Sequence, residues 1–276
     1  MIVSKSNRFV FIHNPKAAGS SVRDVLLDYN DFPIELWHQK YIPDLQRTVD
    51  MSHLSAQELN VVLRQEGYPP GFLNNVFTFG FVRNPYSRFL SSLKEFSRQN
   101  SVDLSTPGQI AEFVDRYLHP AVIQYDWNFS HFRPQHLFFY SGTKRVVDFL
   151  GRFHHLHQDW ATICANLNIT VTDLPHKRDT GSVAHVNYPQ QFLEARTLRS
   201  INRLYAQDWM LLAPYFTETM ECGLPTGSHR ENVENVRSPL GRRTYYGEPP
   251  GLSLGEKVGF LTEEVDRLRA HTRKNI

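Results

Sequence analysis

The chain has only two cysteines in 276 residues, Cys164 and Cys222, far apart and without metal-ligand spacing. That excludes a disulfide-rich framework and a thiolate zinc site, and it is the usage expected of free thiols in a reducing compartment. No apolar run approaches the roughly 18 residues of a membrane span. No secretory leader is expected either: Met1 to Arg8 reads as polar, and Phe9 to Ile12 is too short for an h-region. The expectation is therefore a cytoplasmic protein with no membrane partner. The sequons at Asn128 and Asn168 then read as chance matches. Net charge is only +2, which gives no support for a nucleic-acid partner. The motif G-x-x-x-x-G-K-[ST] of ATP-binding loops is absent.

Hydrophobic residues are not scarce, at 41% of the chain, and 21% of residues are charged, which argues against global disorder. This supports one α/β core. Phe9 to Ile12 reads as a buried strand, and Ser20 or Ser21 as the cap of a helix carrying Val22, Val25 and Leu26 on one face. Tyr29 to Asp50 reads as loop. Ser55 with Glu58 forms a capping-box signature ahead of a helix. Val76 to Val82 is a strong strand, followed by a helix from about Tyr86 to Ser97. Further helices are expected over 109–118, 156–167 and 189–212, with a strand within Arg145 to Phe153. Strand, loop and helix recur, so we expect a P-loop-like three-layer α/β fold with a mainly parallel central sheet flanked by helices. Residues 1–220 form its domain. Residues 221–276 form an extended arm and a C-terminal amphipathic helix, whose apolar stripe at Val258, Leu261, Val265 and Leu268 would pack on its own core or on a second copy.

Two strand–helix turns carry the chemistry. In "FIHNPKAAGSSVR", Lys16 adds a positive charge to the free N–H groups of a helix N-terminus, with small residues Ala17, Ala18 and Gly19 and hydroxyls from Ser20 and Ser21. In "FGFVRNPYSRFLSS", Arg83 leaves the strand end and Ser91 follows about two helical turns later. Arg88 is a further cation, set either on this site or on a surface carboxylate. A ligand with two separated anionic groups suits such a pair. A magnesium-using phosphate loop does not, because Arg83 stands where a metal-binding carboxylate would be needed.

Together these segments resemble the paired signatures of sulfotransferases that use 3′-phosphoadenosine 5′-phosphosulfate, in the carbohydrate O-sulfotransferase-like branch (sulfotransferase family 2). "SHLSAQEL", "DFLGRFHHLHQDWATICANLNI" and "INRLYAQDWMLLAPY" are similar to that branch too, so the likeness runs from about Phe9 to Tyr215. It implies that Pro15, Lys16, Ala17, Ala18, Gly19, Ser20 and Ser21 hold the 5′-phosphosulfate, and that Arg83 and Ser91 hold the 3′-phosphate. Lys16 then meets the bridging oxygen, no metal takes part, and adenosine 3′,5′-bisphosphate is the product. One departure is Ala17-Ala18, where many relatives carry threonine after the lysine.

The resemblance also implies a catalytic base at His53, in "DMSHLSAQEL", where related 2-O-sulfotransferases place a histidine. His38 and Glu95 are the alternatives. The acceptor is expected to be a small molecule or carbohydrate, through a hydroxyl or an amine. "QYDWNFSHFRPQHLFF", with Arg133 and Gln135, reads as either an acceptor strip or a core wall. Lys177 and Arg178 read as an anion-facing pair or an exposed basic loop. His154, His155 and His157 read as a solvated helix start in preference to a metal cluster. Two other readings stand beside sulfuryl transfer: a nucleotide-dependent kinase, and a non-catalytic nucleotide-binding protein of the same fold.

Overall fold

The structure, a computed structural model, describes residues 1–32, 39–170, 173–175 and 193–216. Its centre is a four-stranded sheet made of β1 (Ile2–Ser4), β2 (Phe9–Phe11), β5 (Phe77–Val82) and β8 (Phe149–Arg152), in that spatial order. β2, β5 and β8 run parallel, and β1 pairs antiparallel on the β2 edge. The sheet is thus mainly parallel and flanked by helices, an α/β architecture.

Side chains alternate across the strands and define the layers. Phe9, Phe11, Phe79 and Phe81 point to one face, where they pack on Val22 and Leu26 of α1 (Gly19–Leu26) and on Trp160, Ile163 and Cys164 of α7 (Leu156–Leu167). Val10, Ile12 and Val82 point to the other, against Leu59 and Val62 of α2 (Ala56–Gln65) and Phe138 and Phe139 of α6 (His136–Phe139). Each of these buried phenylalanines contributes roughly 2–3 kcal/mol of transfer free energy. Gly80 is required within β5, because a Cβ there would lie 2.4 Å from the Phe139 ring. A second, helical core gathers Tyr86, Phe89, Leu93 and Phe96 of α3 (Pro85–Asn100) with α4 (Pro107–Tyr117), α5 (Pro120–Tyr125), the 3-10 turn Trp127–Phe132 and α8 (Ala195–Leu204).

Several expectations are corrected. Residues 39–50 are not all loop: β3 (Gln39–Ile42) and β4 (Arg47–Asp50) form an antiparallel hairpin. The segment read as polar, Met1 to Arg8, contains β1, all three residues of which are buried. The strand expected within Arg145 to Phe153 is β8, and a two-residue β7 (Lys144–Arg145) paired with β6 (Tyr140–Ser141) precedes it unforeseen. Of the long helix read over 189–212, residues 189–192 lie outside the described residues, and the rest holds two helices, α8 and α9 (Ala206–Leu212), separated at the buried Tyr205, whose hydroxyl donates to the Phe132 carbonyl at 3.0 Å. The Ser55–Glu58 capping box is present with both of its hydrogen bonds, and α7 begins and ends where the periodicity puts it. Cys222, the arm and the final helix read over 221–276 lie outside the described residues.

Candidate active site

β2 and β5 are adjacent and parallel, so their carboxyl ends open side by side at one edge, where α/β sheets place ligands. The turn after β2 spans residues 15–18. Lys16 and Ala18 both have φ of 63°, whereas Ala17 and Gly19 are not among the positive-φ residues. This alternation turns successive N–H groups toward one point, the concave nest that holds anions. Left-handed backbone costs a non-glycine residue about 1–2 kcal/mol, so the turn carries strain where strain most often serves function.

The helix does not begin as expected. Its N-cap is Ala18, with no side-chain cap, and Ser20 and Ser21 lie inside the first turn. An alanine has no side-chain acceptor to offer the helix, and the first helical bond runs from Val22 N–H to the Ala18 carbonyl at 3.2 Å. The N–H groups of Gly19, Ser20 and Ser21 therefore have no intrahelical acceptor. Gly19 has a local reason too: a Cβ would sit 1.9 Å from His13 Nε2, so any side chain would evict that ring. Ala17 is buried in the core below the turn, and the Ser21 hydroxyl donates to the Pro175 carbonyl at 2.7 Å.

The second turn begins with Arg83. Asn84 caps α3 by accepting from Tyr86 and Ser87 N–H, and Pro85 occupies the first helical position, where its missing N–H costs nothing. The Arg83 guanidinium stacks on Phe153, 4.2 Å from the ring centroid, and donates from Nε to Ser87 Oγ at 3.1 Å and from Nη1 to the Lys16 carbonyl at 3.2 Å. Burial, then the charge of Arg88, pushes its pKa down to about 10, which leaves it a cation at neutral pH. Ser91 is half-buried on α3, two turns beyond Asn84. Ser87, the hydroxyl that meets Arg83, was missed, although the i, i+4 spacing from Arg83 signals it. The surface reading of Arg88 is corrected: it is fully buried and donates from Nε to the Pro15 carbonyl at 2.9 Å, supporting the first turn from below.

Lys16 Nζ lies 3.2 Å from Glu95 Oε2, and Glu95 also accepts from Arg98 and from Gln99. Burial alone would raise the Glu95 pKa, but the bonds from Arg98 and Lys16 outweigh it and hold it at about 2. Its oxygens are already occupied by Lys16, Arg98 and Gln99.

His53 sits at the centre of three imidazoles. Its ring is 4.4 Å from that of His13 and 5.0 Å from that of His131, both edge-on. His53 Nδ1 is 3.2 Å from the His13 carbonyl. A carbonyl only accepts, so Nδ1 carries the proton and Nε2 is left as the proton-accepting nitrogen. Burial first, then neighbouring positive charges, brings the His53 pKa down to about 3, so the ring is neutral at neutral pH. His131, which no spacing pointed to, is the unforeseen member of this cluster. It is half-buried and feels the charges of both Lys16 and Glu95. His38, Lys177 and Arg178 lie outside the described residues.

The aromatic strip from Gln124 to Phe139 is a core wall at the positions weighed for an acceptor. Phe129, Phe132, Phe138 and Phe139 are buried, as are Arg133 and Gln135. Arg133 and Arg47 both pair with the buried Glu58, at 2.9 Å each. Among the described residues, no group of three or more His, Cys, Asp or Glu side chains is arranged to hold a metal ion, and no helix is long and apolar enough to cross a membrane.

An α/β fold that brings two cationic turns together at adjacent strand ends, beside a neutral buried imidazole, is consistent with a transferase. The model of the sulfotransferase family matches residues 1–215, and the chain belongs to that family. No curated protein and no solved structure matches it.

Proposed function

We propose that the chain transfers the sulfuryl group of 3′-phosphoadenosine 5′-phosphosulfate to a hydroxyl, or less readily an amine, of a small-molecule or carbohydrate acceptor. The observation that carries this reading is the pair of turns at adjacent parallel strand ends, one a strained nest with Lys16 and the other built on Arg83, linked by the Arg83–Lys16 carbonyl bond. The residues fit such a donor: the N–H groups of the nest and of Gly19, Ser20 and Ser21 suit its phosphosulfate end, and Arg83, with Ser87 and Ser91 on the helix behind it, suits its 3′-phosphate.

When bound, the donor supplies the sulfuryl group for an in-line displacement that releases adenosine 3′,5′-bisphosphate. Lys16 exchanges its bond to Glu95 for the charge that develops on the leaving oxygen. His53 Nε2 takes the proton of the acceptor hydroxyl, while Nδ1–H, held by the His13 carbonyl, keeps the ring in that tautomer. Glu95, already ionised and saturated with donors, orients Lys16. Arg83, not a carboxylate, follows the end of β5, and the reading takes the transfer as metal-independent. We further place the protein in the cytoplasm, acting on neither nucleic acid nor membrane. Homo-oligomerisation through the C-terminal helix belongs to the same proposal.

Calorimetry tests the donor assignment. Adenosine 3′,5′-bisphosphate should bind without magnesium and more tightly than ATP, and Arg83→Ala should weaken it. Equal affinity for ATP would favour the kinase reading. Tight bisphosphate binding with no turnover across an acceptor screen with labelled donor would favour a non-catalytic nucleotide-binding protein.

A further inference from the structure

The hydrogen-bonded ladder between β2 and β5 stops short of the two turns. Its last backbone bond runs from Ile12 N–H to the Phe79 carbonyl, at 2.8 Å. Beyond it the chains are spliced by side-chain amides. Asn14 Nδ2 donates to the Phe81 carbonyl at 2.9 Å and to Gln135 Oε1 at 2.8 Å. The same Gln135 oxygen accepts from Arg83 N–H at 2.9 Å, and Gln135 Nε2 donates to the Arg83 carbonyl at 2.7 Å. One carboxamide thus reaches the residue before the Pro15–Lys16 turn and both backbone groups of the residue that opens the other.

Gln135 is itself immobilised. It is fully buried, and its N–H and that of His136 are held by the two carboxylate oxygens of Asp208, each at 2.8 Å. Asp208 lies on α9, which packs against α6. The brace is therefore anchored in the body of the protein and not in either turn. Only an amide fills this position, because the bonds require an acceptor oxygen and a donor nitrogen on one planar group.

We infer that Gln135 is a positioning residue that sets the spacing between the two anion-binding turns, and through that spacing selects a nucleotide with phosphates at both its 3′ and 5′ positions. The inference rests on the donor reading above. A nucleotide with a single 5′-phosphate uses one turn and is indifferent to the distance between them. A 3′,5′-bisphosphate uses both and is sensitive to it. Gln135 touches neither phosphate, so its effect belongs to the difference between the two ligands.

The test measures dissociation constants for adenosine 3′,5′-bisphosphate and adenosine 5′-monophosphate in the full-length parent, in Gln135→Met and in Asn14→Ala. Gln135→Met keeps the side-chain length and removes both hydrogen-bonding atoms. Asn14→Ala removes the β2 half of the brace and leaves Gln135 on Arg83, which serves if Gln135→Met does not fold. The parent should prefer the bisphosphate. Gln135→Met should lose about tenfold of that preference, the equivalent of one or two buried hydrogen bonds, with monophosphate affinity within about twofold of the parent. Asn14→Ala should lose a smaller part. A preference that survives intact, or equal weakening of both ligands, overturns the role of Gln135 while leaving the donor reading in place. A parent without preference overturns the donor reading, and this inference with it.

Discussion

The imidazole cluster makes the fold acid-labile in a way that can be worked out from its surroundings. His13, His53 and His131 are all held neutral, His53 and His131 with pKa values lowered to about 3 and His13 well below its ordinary value, with burial the largest cause in each case. In the unfolded chain each would titrate near 6.5. The unfolded state therefore binds more protons, and stability falls with pH between about 6.5 and 3; above 6.5 the contribution is fully present. At pH 5.5 each ring held neutral costs on the order of 1 kcal/mol relative to neutral pH, so the cluster together costs roughly 3–4 kcal/mol. That is a large part of a typical domain stability of about 5–15 kcal/mol. Urea unfolding at pH 7.5 and 5.5 measures it, and His131→Asn isolates one ring. The variant should lose about 1 kcal/mol less than the parent over the same interval. A variant whose pH dependence matches the parent's, or a parent whose stability is flat across this range, would refute the argument.

Four other outcomes follow from the site. Lys16→Met should reduce turnover by about hundredfold or more with an unchanged circular dichroism spectrum, since it removes a charge aimed at the leaving oxygen. His53→Ala should lower kcat by about hundredfold with little change in bisphosphate affinity, whereas Glu95→Gln should keep turnover within about tenfold; the reverse order would make Glu95 the base. Ser87→Ala should weaken bisphosphate binding by less than Arg83→Ala, because Ser87 only steadies the guanidinium. Ala18→Gly should raise the unfolding midpoint, equivalent to a gain in stability of up to about 1 kcal/mol, since glycine adopts the left-handed conformation of that residue without strain. A lowered midpoint would mean that the alanine methyl packs more favourably than its backbone costs.

What was legible in the chain was local. The Ser55–Glu58 box and the Asn84-Pro85 helix start are closed by residues a few positions apart, and the amphipathic stripe of α7 declares itself within its own twelve residues. The two turns were readable for the same reason, as each is one strand end and one helix start. Hairpin β3–β4 was missed because β3 exposes three of its four residues and shows no apolar alternation. β1 was missed because three residues are too few to display a period. The partners that complete the site come from far along the chain. Gln135 meets Asn14 across 121 positions, and His131 reaches His53 through the 3-10 turn after α5. The choice for Arg88 between the site and a surface carboxylate was not legible locally, because it is settled by α3 lying between the first turn and the helical core. No periodicity encodes which of two polar faces will be covered.

The Lys16–Glu95 pair has a consequence for how the site responds to salt. A cation that waits in solvent carries a cloud of counterions, and releasing them on binding makes affinity fall steeply with ionic strength. Lys16 instead waits with a carboxylate 3.2 Å away, both side chains largely buried. Its counter-charge is part of the chain. Engaging an anionic ligand there is an exchange of one anion for another, with few mobile ions released. The binding of a strongly charged nucleotide should then depend on ionic strength less steeply than the count of cations around the site suggests.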